Sequence, residues 1–284
     1  MLEFRKLTHE DYEDICDISK SIWEGTDYLP KVFHKWVDAE GFFLGAIDAS
    51  KNKVVAVGKL SFLHDGSAWL EGLRVHSEYR GLKIAREISE RLLNISKEYL
   101  KEGIVKNIAF ATHISNVESI TLMKKLGFTL KEKLYVFYKD YSSLKDGITL
   151  EDFKIEPWYP DYEEFSSLSY IKKRNGYFDL AFTFEKPTPE LFQELKASGS
   201  FISINGFKGV FKLKGEPNFS AFDESYEAID TFMNYFLLKY KNSAYASPNS
   251  SITPNDEAVV GMLRQNQYRS WSDWQLDYFY YVYE

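Results

Sequence analysis

A mixed α/β fold built in two halves is what this sequence predicts, on three observations. Strand-like alternation and helix-like periodicity follow one another as strand, two helices, three strands, helix, strand, helix, strand over the first 140 residues. A loop at residues 80–85 joins the end of one strand to a long amphipathic helix. The second half echoes the first: Asn116-Val117-Glu118-Ser119-Ile120 recurs as Asn255-Asp256-Glu257-Ala258-Val259, and Met123 matches Met262, both 139 residues apart (255 − 116 and 262 − 123). Chance likeness between two amphipathic helices is the competing explanation of the echo.

The elements follow in order. Leu2, Phe4 and Leu7 predict a first strand. Thr8, with Asp11 three residues on, predicts a helix start, and Tyr12, Ile15, Ile18 and Ile22 recur at helical spacing. Residues 23–30 (WEGTDYLP) are rich in breakers and read as a loop, and residues 31–38 predict a second short helix. Strands are expected at residues 42–47, 54–63 and 67–75, the last two joined by the turn His64-Asp65-Gly66. Residues 81–101 change to a helical period, with Ile84, Ile88, Leu92, Leu93 and Ile95 on one face and Gly103 as the stop. A strand at 106–112, a helix at 116–126 and strands from 127–137 onward complete the first half. Residues 141–147 (YSSLKDG) are the expected linker, giving a first domain at 1–143 and a second at 148–284. In the second, a helix at 226–240, a short strand-like segment at 244–247, a helix carrying Met262 and an aromatic strand at 276–283 repeat the order of the first.

Hydrophobic residues make up 44% of the 284 and aromatics 17%, so each half has the apolar content for its own core. The net charge of −7 argues against sequence-independent nucleic-acid binding, which needs a positive surface. The single cysteine, Cys16, can form neither an intramolecular disulfide nor a cysteine zinc site; between Ile15 and Ile18 it reads as a buried structural thiol. The five histidines lack metal-ligand spacing, and no metal is expected. The N-terminus lacks the pattern of a signal peptide, and no apolar run reaches the ~18 residues of a membrane helix. The expectation is a soluble cytoplasmic protein without nucleic-acid or membrane partners.

The informative stretch is residues 70–85, LEGLRVHSEYRGLKIA. A strand ends, a tight loop follows and a long helix begins, so the first backbone N–H groups of that helix have no intrahelical partner. With the helix dipole they suit a phosphate, at ~0.3–1 kcal/mol per exposed contact. The segment resembles motif A of the GNAT superfamily of acetyltransferases, Gln/Arg-x-x-Gly-x-Gly/Ala. Arg80 fills its first position, Ala85 its last, Gly81 is glycine as in the common Arg-Gly-x-Gly form, and Lys83 stands where the middle glycine is usual. The run Asn116-x-x-Ser119-x-x-x-Met123-x-x-Leu126-Gly127-Phe128 resembles that family's Asn-x-x-Ala-x-x-x-Tyr-x-x-x-Gly-Phe. More narrowly, Ile22 to Pro30, Phe33 to Trp36 and Leu70 to Val75 resemble segments of the vertebrate histidine N-acetyltransferase family, whose members also carry a divergent second half.

The resemblance implies a GNAT-type mixed sheet flanked by helices, followed by a second, degenerate GNAT-like domain without a CoA loop. It implies acetyl-CoA as cofactor, with Arg80, Gly81, Leu82, Lys83, Ile84 and Ala85 holding the pyrophosphate. It further implies that backbone N–H groups around Leu73 and Val75 hold the pantetheine arm and polarise the carbonyl, and that Asn116 and Ser119 secure the cofactor beyond. The family tyrosine that protonates the departing thiolate is replaced by Met123, which cannot donate a proton. A thiol pKa of ~8.5 still makes the thiolate a tolerable leaving group.

On the acceptor side, alternation places Trp69, Glu71, Leu73 and Val75 on one face of their strand and Arg74 on the other. Glu71 is either a surface residue on an edge or, as in similar enzymes, the group that orients or deprotonates the amine. Arg74 reads as a salt-bridge residue. Asp27 and Tyr28 lie in the loop that covers the acceptor in GNAT folds, where Asp27 either holds an ammonium group or shapes the Gly25-Thr26-Asp27 turn. His34 is either a substrate contact or a surface histidine; His76 reads as a rim residue, and His113 as one that could reach the thioester end. Deprotonating an α-amine at pH 7 costs ~1.4 kcal/mol against ~4.6 for lysine, which favours a free amino acid, small amine or peptide N-terminus as acceptor. The expected activity is direct acetyl transfer from acetyl-CoA to such an amine, with Glu71 as the catalytic residue. The alternatives are a non-catalytic acyl-CoA-binding protein and a protein-lysine acetyltransferase.

Overall fold

Strand β1 (Leu2–Lys6) leads into a reciprocal capping box between Thr8 and Asp11, and Arg5 clamps Asp11 with hydrogen bonds of 2.7 and 2.8 Å. This start launches α1 (Tyr12–Ser19), which buries Ile15 and Ile18 and stops before Ile22. Cys16 lies off that apolar face and is half-buried, not buried as expected. Helix α2 (Leu29–Asp38) begins two residues earlier than the sequence suggests, because Pro30 in a first turn gives up an N–H that would have no partner there. Strands β2 (Phe42–Asp48), β3 (Lys53–Phe62) and β4 (Ser67–Val75) follow, then α3 (Ile84–Lys101), β5 (Asn107–His113), α4 (Val117–Lys125) and β6 (Phe128–Lys139). The remaining elements are β7 (Ile155–Pro157), α5 (Tyr162–Ser166), α6 (Ser169–Lys172), β8 (Phe178–Leu180), β9 (Thr183–Glu185), α7 (Pro189–Ala197), β10 (Phe201–Ile204), β11 (Phe207–Lys214) and β12 (Glu216–Ala221). They end with α8 (Tyr226–Tyr240), β13 (Asn249–Ile252), α9 (Glu257–Gln265), β14 (Tyr268–Ser270) and β15 (Tyr278–Tyr283). The computed structural model describes residues 1–214 and 216–283.

The chain forms two compact units. One holds Met1–Phe110, Thr121–Thr129 and the residues from Val282 on; the other holds Ala111–Ile120 and Leu130–Tyr281. The expected linker at 141–147 lies wholly inside the second unit, where the Tyr141 hydroxyl donates to the Ala246 carbonyl at 3.2 Å.

In the first unit the strand order is β1-β2-β3-β4-β5, antiparallel except for the parallel pair β4–β5. The parallel ladder runs only over Ser67↔Asn107, Ala68↔Ile108 and Trp69↔Ala109, after which the two strands part. One face of the sheet carries Phe43, Ile47, Val54 and Val57, packed with Ile15 and Ile18 of α1 and Phe33 and Trp36 of α2. α3 buries Ile84, Ile88, Leu92 and Leu93. Burying each such side chain stabilises the fold by roughly 1.5–3 kcal/mol.

The second unit orders its strands β7-β10-β11-β12-β13-β6, again antiparallel except for one parallel pair, β12–β13. Its core forms on α8, where Phe236 stacks on Phe211 at 4.2 Å and Phe232 lies 5.7 Å from Phe219. The strand expected at 244–247 falls later, at β13, because Pro248 has no N–H to give a ladder and pairing starts after it. Strands β7 to β12 and helices α5 to α7 were not anticipated individually from the sequence.

Candidate active site

Strand β4 carries the site, and its alternation is broken in the middle. Lys59↔Glu71 and Val57↔Arg74 are paired with a register shift between them, so Gly72 and Leu73 together oppose Gly58. This β-bulge depends on Gly72, which has φ 68° and whose Cβ would lie 2.5 Å from the Trp36 ring. An extra residue between Glu71 and Arg74 turns both side chains to one face. The expectation of opposite faces is thereby overturned: a one-residue bulge inverts the parity on which it rested.

Arg74 stays the salt-bridge residue. Its Nε and Nη2 donate to Asp27 Oδ2 and Oδ1 at 3.1 and 3.0 Å. The Asp27 side chain has no solvent exposure, and it also accepts from Ser19 Oγ at 3.0 Å and Leu29 N at 3.3 Å. The guanidinium lies under two aromatic rings, 4.6 Å from Trp23 and 5.4 Å from Tyr28. Trp23 is 54% exposed although its backbone is left-handed, φ 44°. Tyr28 stacks on Trp23 and meets Trp36 edge-on. Burial pushes its phenol up to about 12, with Arg74 opposing and Glu71 reinforcing the shift. Tyr28 is therefore a neutral hydroxyl at ordinary pH.

Glu71 Oε1 accepts from Ser61 Oγ at 2.7 Å. Across the ladder stands Lys59, 1% exposed, a buried cation within the strand that its apolar neighbours in the sequence do not foretell. Its ammonium donates to the carbonyls of Trp36, Ala39 and Glu40 at 3.1, 3.4 and 3.0 Å, capping the end of α2. Burial lowers its pKa, and the charge of Glu71 opposes that shift. The structure thus brings Asp27, Tyr28 and Glu71 together beside Trp23 and Trp36, with Asp27 committed to Arg74.

Beyond the bulge, His76 N donates to Val55 O on β3 at 2.9 Å. Alternation then turns the N–H groups of Leu73 and Val75 to the other edge, where the ladder to β5 has ended at Trp69. The chain passes the 3-10 turn Ser77–Tyr79 to Arg80, Gly81 (φ 81°), Leu82 and Lys83 (φ 64°), and α3 begins at Ile84 with no side chain capping its start. A Cβ on Gly81 would have nothing within 4 Å, and Leu82 is 64% exposed, so the loop is open. Unpaired N–H groups at an uncapped helix start, with a lysine beside them, fit a phosphate group.

Residues 3–128 match the model of the acetyltransferase (GNAT) family. Over that segment, just under half of the chain, the sequence is similar to GNAT acetyltransferases. A histidine N-acetyltransferase of Xenopus tropicalis is 35% identical over 98 residues, which make up 34% of this chain and 29% of that protein. One of Oreochromis niloticus is 33% identical over 85 residues, 30% and 25% of the two chains. The match therefore spans less than a third of these curated relatives. A GCN5-related N-acetyltransferase structure from Sphaerobacter thermophilus, 11% identical, overlays 99% of this chain and 95% of its own with a TM-score of 0.63. At that identity the likeness is one of fold.

The other expected site residues have the following partners. His34 sits on α2, where its ring stacks on Tyr12, meets the Phe33 ring edge-on at 5.3 Å, and its Nδ1 meets His9 Nδ1 at 2.8 Å. His76 is 8% exposed, and its Nε2 meets Asp17 at 3.2 Å. Asn116, just before α4, donates from Nδ2 to Thr112 Oγ1 at 2.9 Å, and Ser119 is half-buried one turn on; both belong to the second unit. There His113 meets Ser115 Oγ at 2.7 Å and Ser272 Oγ at 3.2 Å. Met123 is buried. Among the described residues, no cluster of three or more His, Cys, Asp or Glu is arranged to hold a metal, and no helix is long and apolar enough to cross a membrane.

Proposed function

We propose that this protein is an acetyl-CoA-dependent N-acetyltransferase whose acceptor is the primary amine of a small molecule, amino acid or peptide N-terminus. One observation carries the reading. A single strand, β4, takes Glu71 through the Gly72 bulge and runs on to an open, uncapped helix start. The histidine N-acetyltransferase relatives support a free amino acid as acceptor.

Acetyl-CoA supplies an activated acetyl group when bound. Residues Arg80 to Ala85 hold its pyrophosphate through backbone N–H groups, with Lys83 adding a cation. The outward N–H groups of Leu73 and Val75 orient the acyl carbonyl and favour negative charge developing on its oxygen. Glu71, held by Ser61, orients the acceptor ammonium and takes its proton directly or through water. Trp23, Tyr28 and Trp36 give the acceptor an aromatic wall, which suits a planar or apolar side chain. Transfer is direct, with no acyl-enzyme formed on Cys16, the single cysteine, which lies on α1.

Met123, buried where the resemblance expects a proton-donating tyrosine, favours a second reading: a protein that binds acyl-CoA without turning it over. Release of free CoA, followed with a thiol reagent over a panel of amino acids, polyamines and short peptides, separates the two. Turnover with a free amino acid carries the first reading. CoA binding by calorimetry with no turnover on any acceptor carries the second.

A further inference from the structure

The loop at residues 80–83 carries little that would hold its own shape. Gly81 and Lys83 take left-handed backbone, φ 81° and 64°, Leu82 is 64% exposed, and a Cβ on Gly81 would touch nothing. An open loop that must aim several N–H groups at one ligand loses affinity in proportion to the time it spends in other shapes. Its restraint comes from the turn just before it, Ser77–Tyr79, which is tied down at both ends within the first unit.

The first tie is His76, 8% exposed at the end of the strand. Glu78 N donates to its Nδ1 at 3.3 Å. A backbone N–H can only donate, so Nδ1 is the acceptor and the ring proton sits on Nε2. That proton is directed at Asp17 Oδ2 on α1, 3.2 Å away. Lys53, then Lys20 and His76, hold the Asp17 carboxyl well below the usual carboxylate range, so it is a permanent anion.

The second tie is Tyr79. Its N donates to His76 O at 2.9 Å and closes the turn, and its ring meets His76 edge-on at 5.8 Å. The hydroxyl donates to Asp48 Oδ2, at the end of β2, at 2.7 Å. Ser50 fixes the other carboxylate oxygen through its N and Oγ at 3.0 and 2.7 Å. Tyr79 and then Ser50 hold the Asp48 carboxyl at about 2. Lys53 joins the two anchors, paired with Asp48 in the β2–β3 ladder and bridged to Asp17 by its ammonium. Part-exposed contacts of this kind add little to overall stability. Holding a loop in its bound shape instead removes an ordering cost that the ligand would meet.

We propose that His76 and Tyr79 are positioning residues for the cofactor: tied to Asp17 and Asp48, they hold residues 80–83 ready for a pyrophosphate before it arrives. The inference rests on the reading of that loop as the phosphate-holding part of the acetyl-transfer site. Calorimetry with CoA, and turnover with acetyl-CoA or with S-acetylpantetheine, test it in wild type, Tyr79→Phe and His76→Leu. S-acetylpantetheine keeps the thioester arm and lacks the nucleotide with its phosphates. In both variants the CoA Kd and the KM for acetyl-CoA rise about three- to tenfold, as expected if the loop is correctly shaped only about a tenth to a third of the time. Their kcat, and kcat/KM with S-acetylpantetheine, match wild type. If His76→Leu does not fold, Tyr79→Phe, which removes a single hydroxyl, carries the test alone. An unchanged CoA Kd in the folded variants overturns the proposal and leaves the loop's role standing. An equal loss with both donors also overturns it, since the ties then serve the fold and not the phosphates. A wild type that binds no CoA, or that uses the two donors equally well, overturns the reading of the loop and the proposal with it.

Discussion

At Asp27 the side chain is closed to solvent and its charge is matched by one guanidinium, itself 11% exposed. Removing one partner of a buried ion pair leaves the other charge uncompensated, at about 3–5 kcal/mol. Asp27→Ala is expected to lose that much in urea unfolding, and Arg74→Lys to recover little of the lost geometry, since lysine lacks the bidentate fork. Tyr28 gives a pH signature. Its folded pKa, about 12 by burial, lies above the ordinary 10.0, so the unfolded chain loses this proton first. The stability it contributes is present below pH 10 and is lost as pH rises from about 10 to about 12. The stability difference between wild type and Tyr28→Phe is expected to shrink across that window in chemical unfolding followed against pH. Glu71, Asp27 and Tyr28 were legible in the sequence as polar residues on a strand and in a loop of known kind. That Asp27 is spent on Arg74 was not, because the two are 47 residues apart and only the bulge turns Arg74 toward the loop.

The bulge in β4 and the start of α3 are the elements on which the site depends. Gly72→Ala places a Cβ against Trp36 on left-handed backbone. It is expected to cost about 2–3 kcal/mol of overpacking and strain in thermal or urea unfolding, with acceptor turnover falling more than CoA affinity. Lys83 takes left-handed backbone at roughly 1–2 kcal/mol, where glycine is free of strain but loses more entropy on folding. Lys83→Gly should therefore unfold within about 0.5 kcal/mol of wild type, and its CoA Kd, by calorimetry, should rise about three- to tenfold for loss of one cation near a phosphate. Periodicity exposed α3 because its apolar positions recur every three or four residues. It missed the bulge because alternation assumes an unbroken ladder, although Gly72 was the available signal. Lys59 too was visible as a cation between the apolar residues of β3, but its three carbonyl partners come from a helix end distant in sequence.

Over the whole molecule, sequence halves and compact units do not coincide. Residues 135–139 of β6 pair with β13 and β14 in the second unit, while Val282 and Tyr283 belong to the first. There Tyr283 meets Phe128 edge-on at 5.6 Å and Lys97 at 4.6 Å, and Val282 O accepts from Thr129 Oγ1 at 3.4 Å. Tyr283→Ala is expected to destabilise the first unit by about 2–4 kcal/mol, and a fragment ending at Gly147, lacking both Tyr283 and the partners of β6, to show no cooperative unfolding. The echo at an offset of 139 aligns the ends of α3 and α8 and the pair α4 and α9, which periodicity makes visible. The antiparallel strands of the second unit carry weak patterns, with polar residues such as Asn218 and Asn249 buried in them, and were not readable singly.

The most direct measurement compares wild type with Glu71→Gln, following free-CoA release with histidine and other amino acids and CoA binding by calorimetry on the same preparations. Wild type is expected to turn over at least one free amine, kcat/KM to fall about 10²–10⁴-fold in the variant, and CoA Kd to stay unchanged. Undetectable CoA binding by wild type, or full activity in Glu71→Gln, contradicts the proposed function.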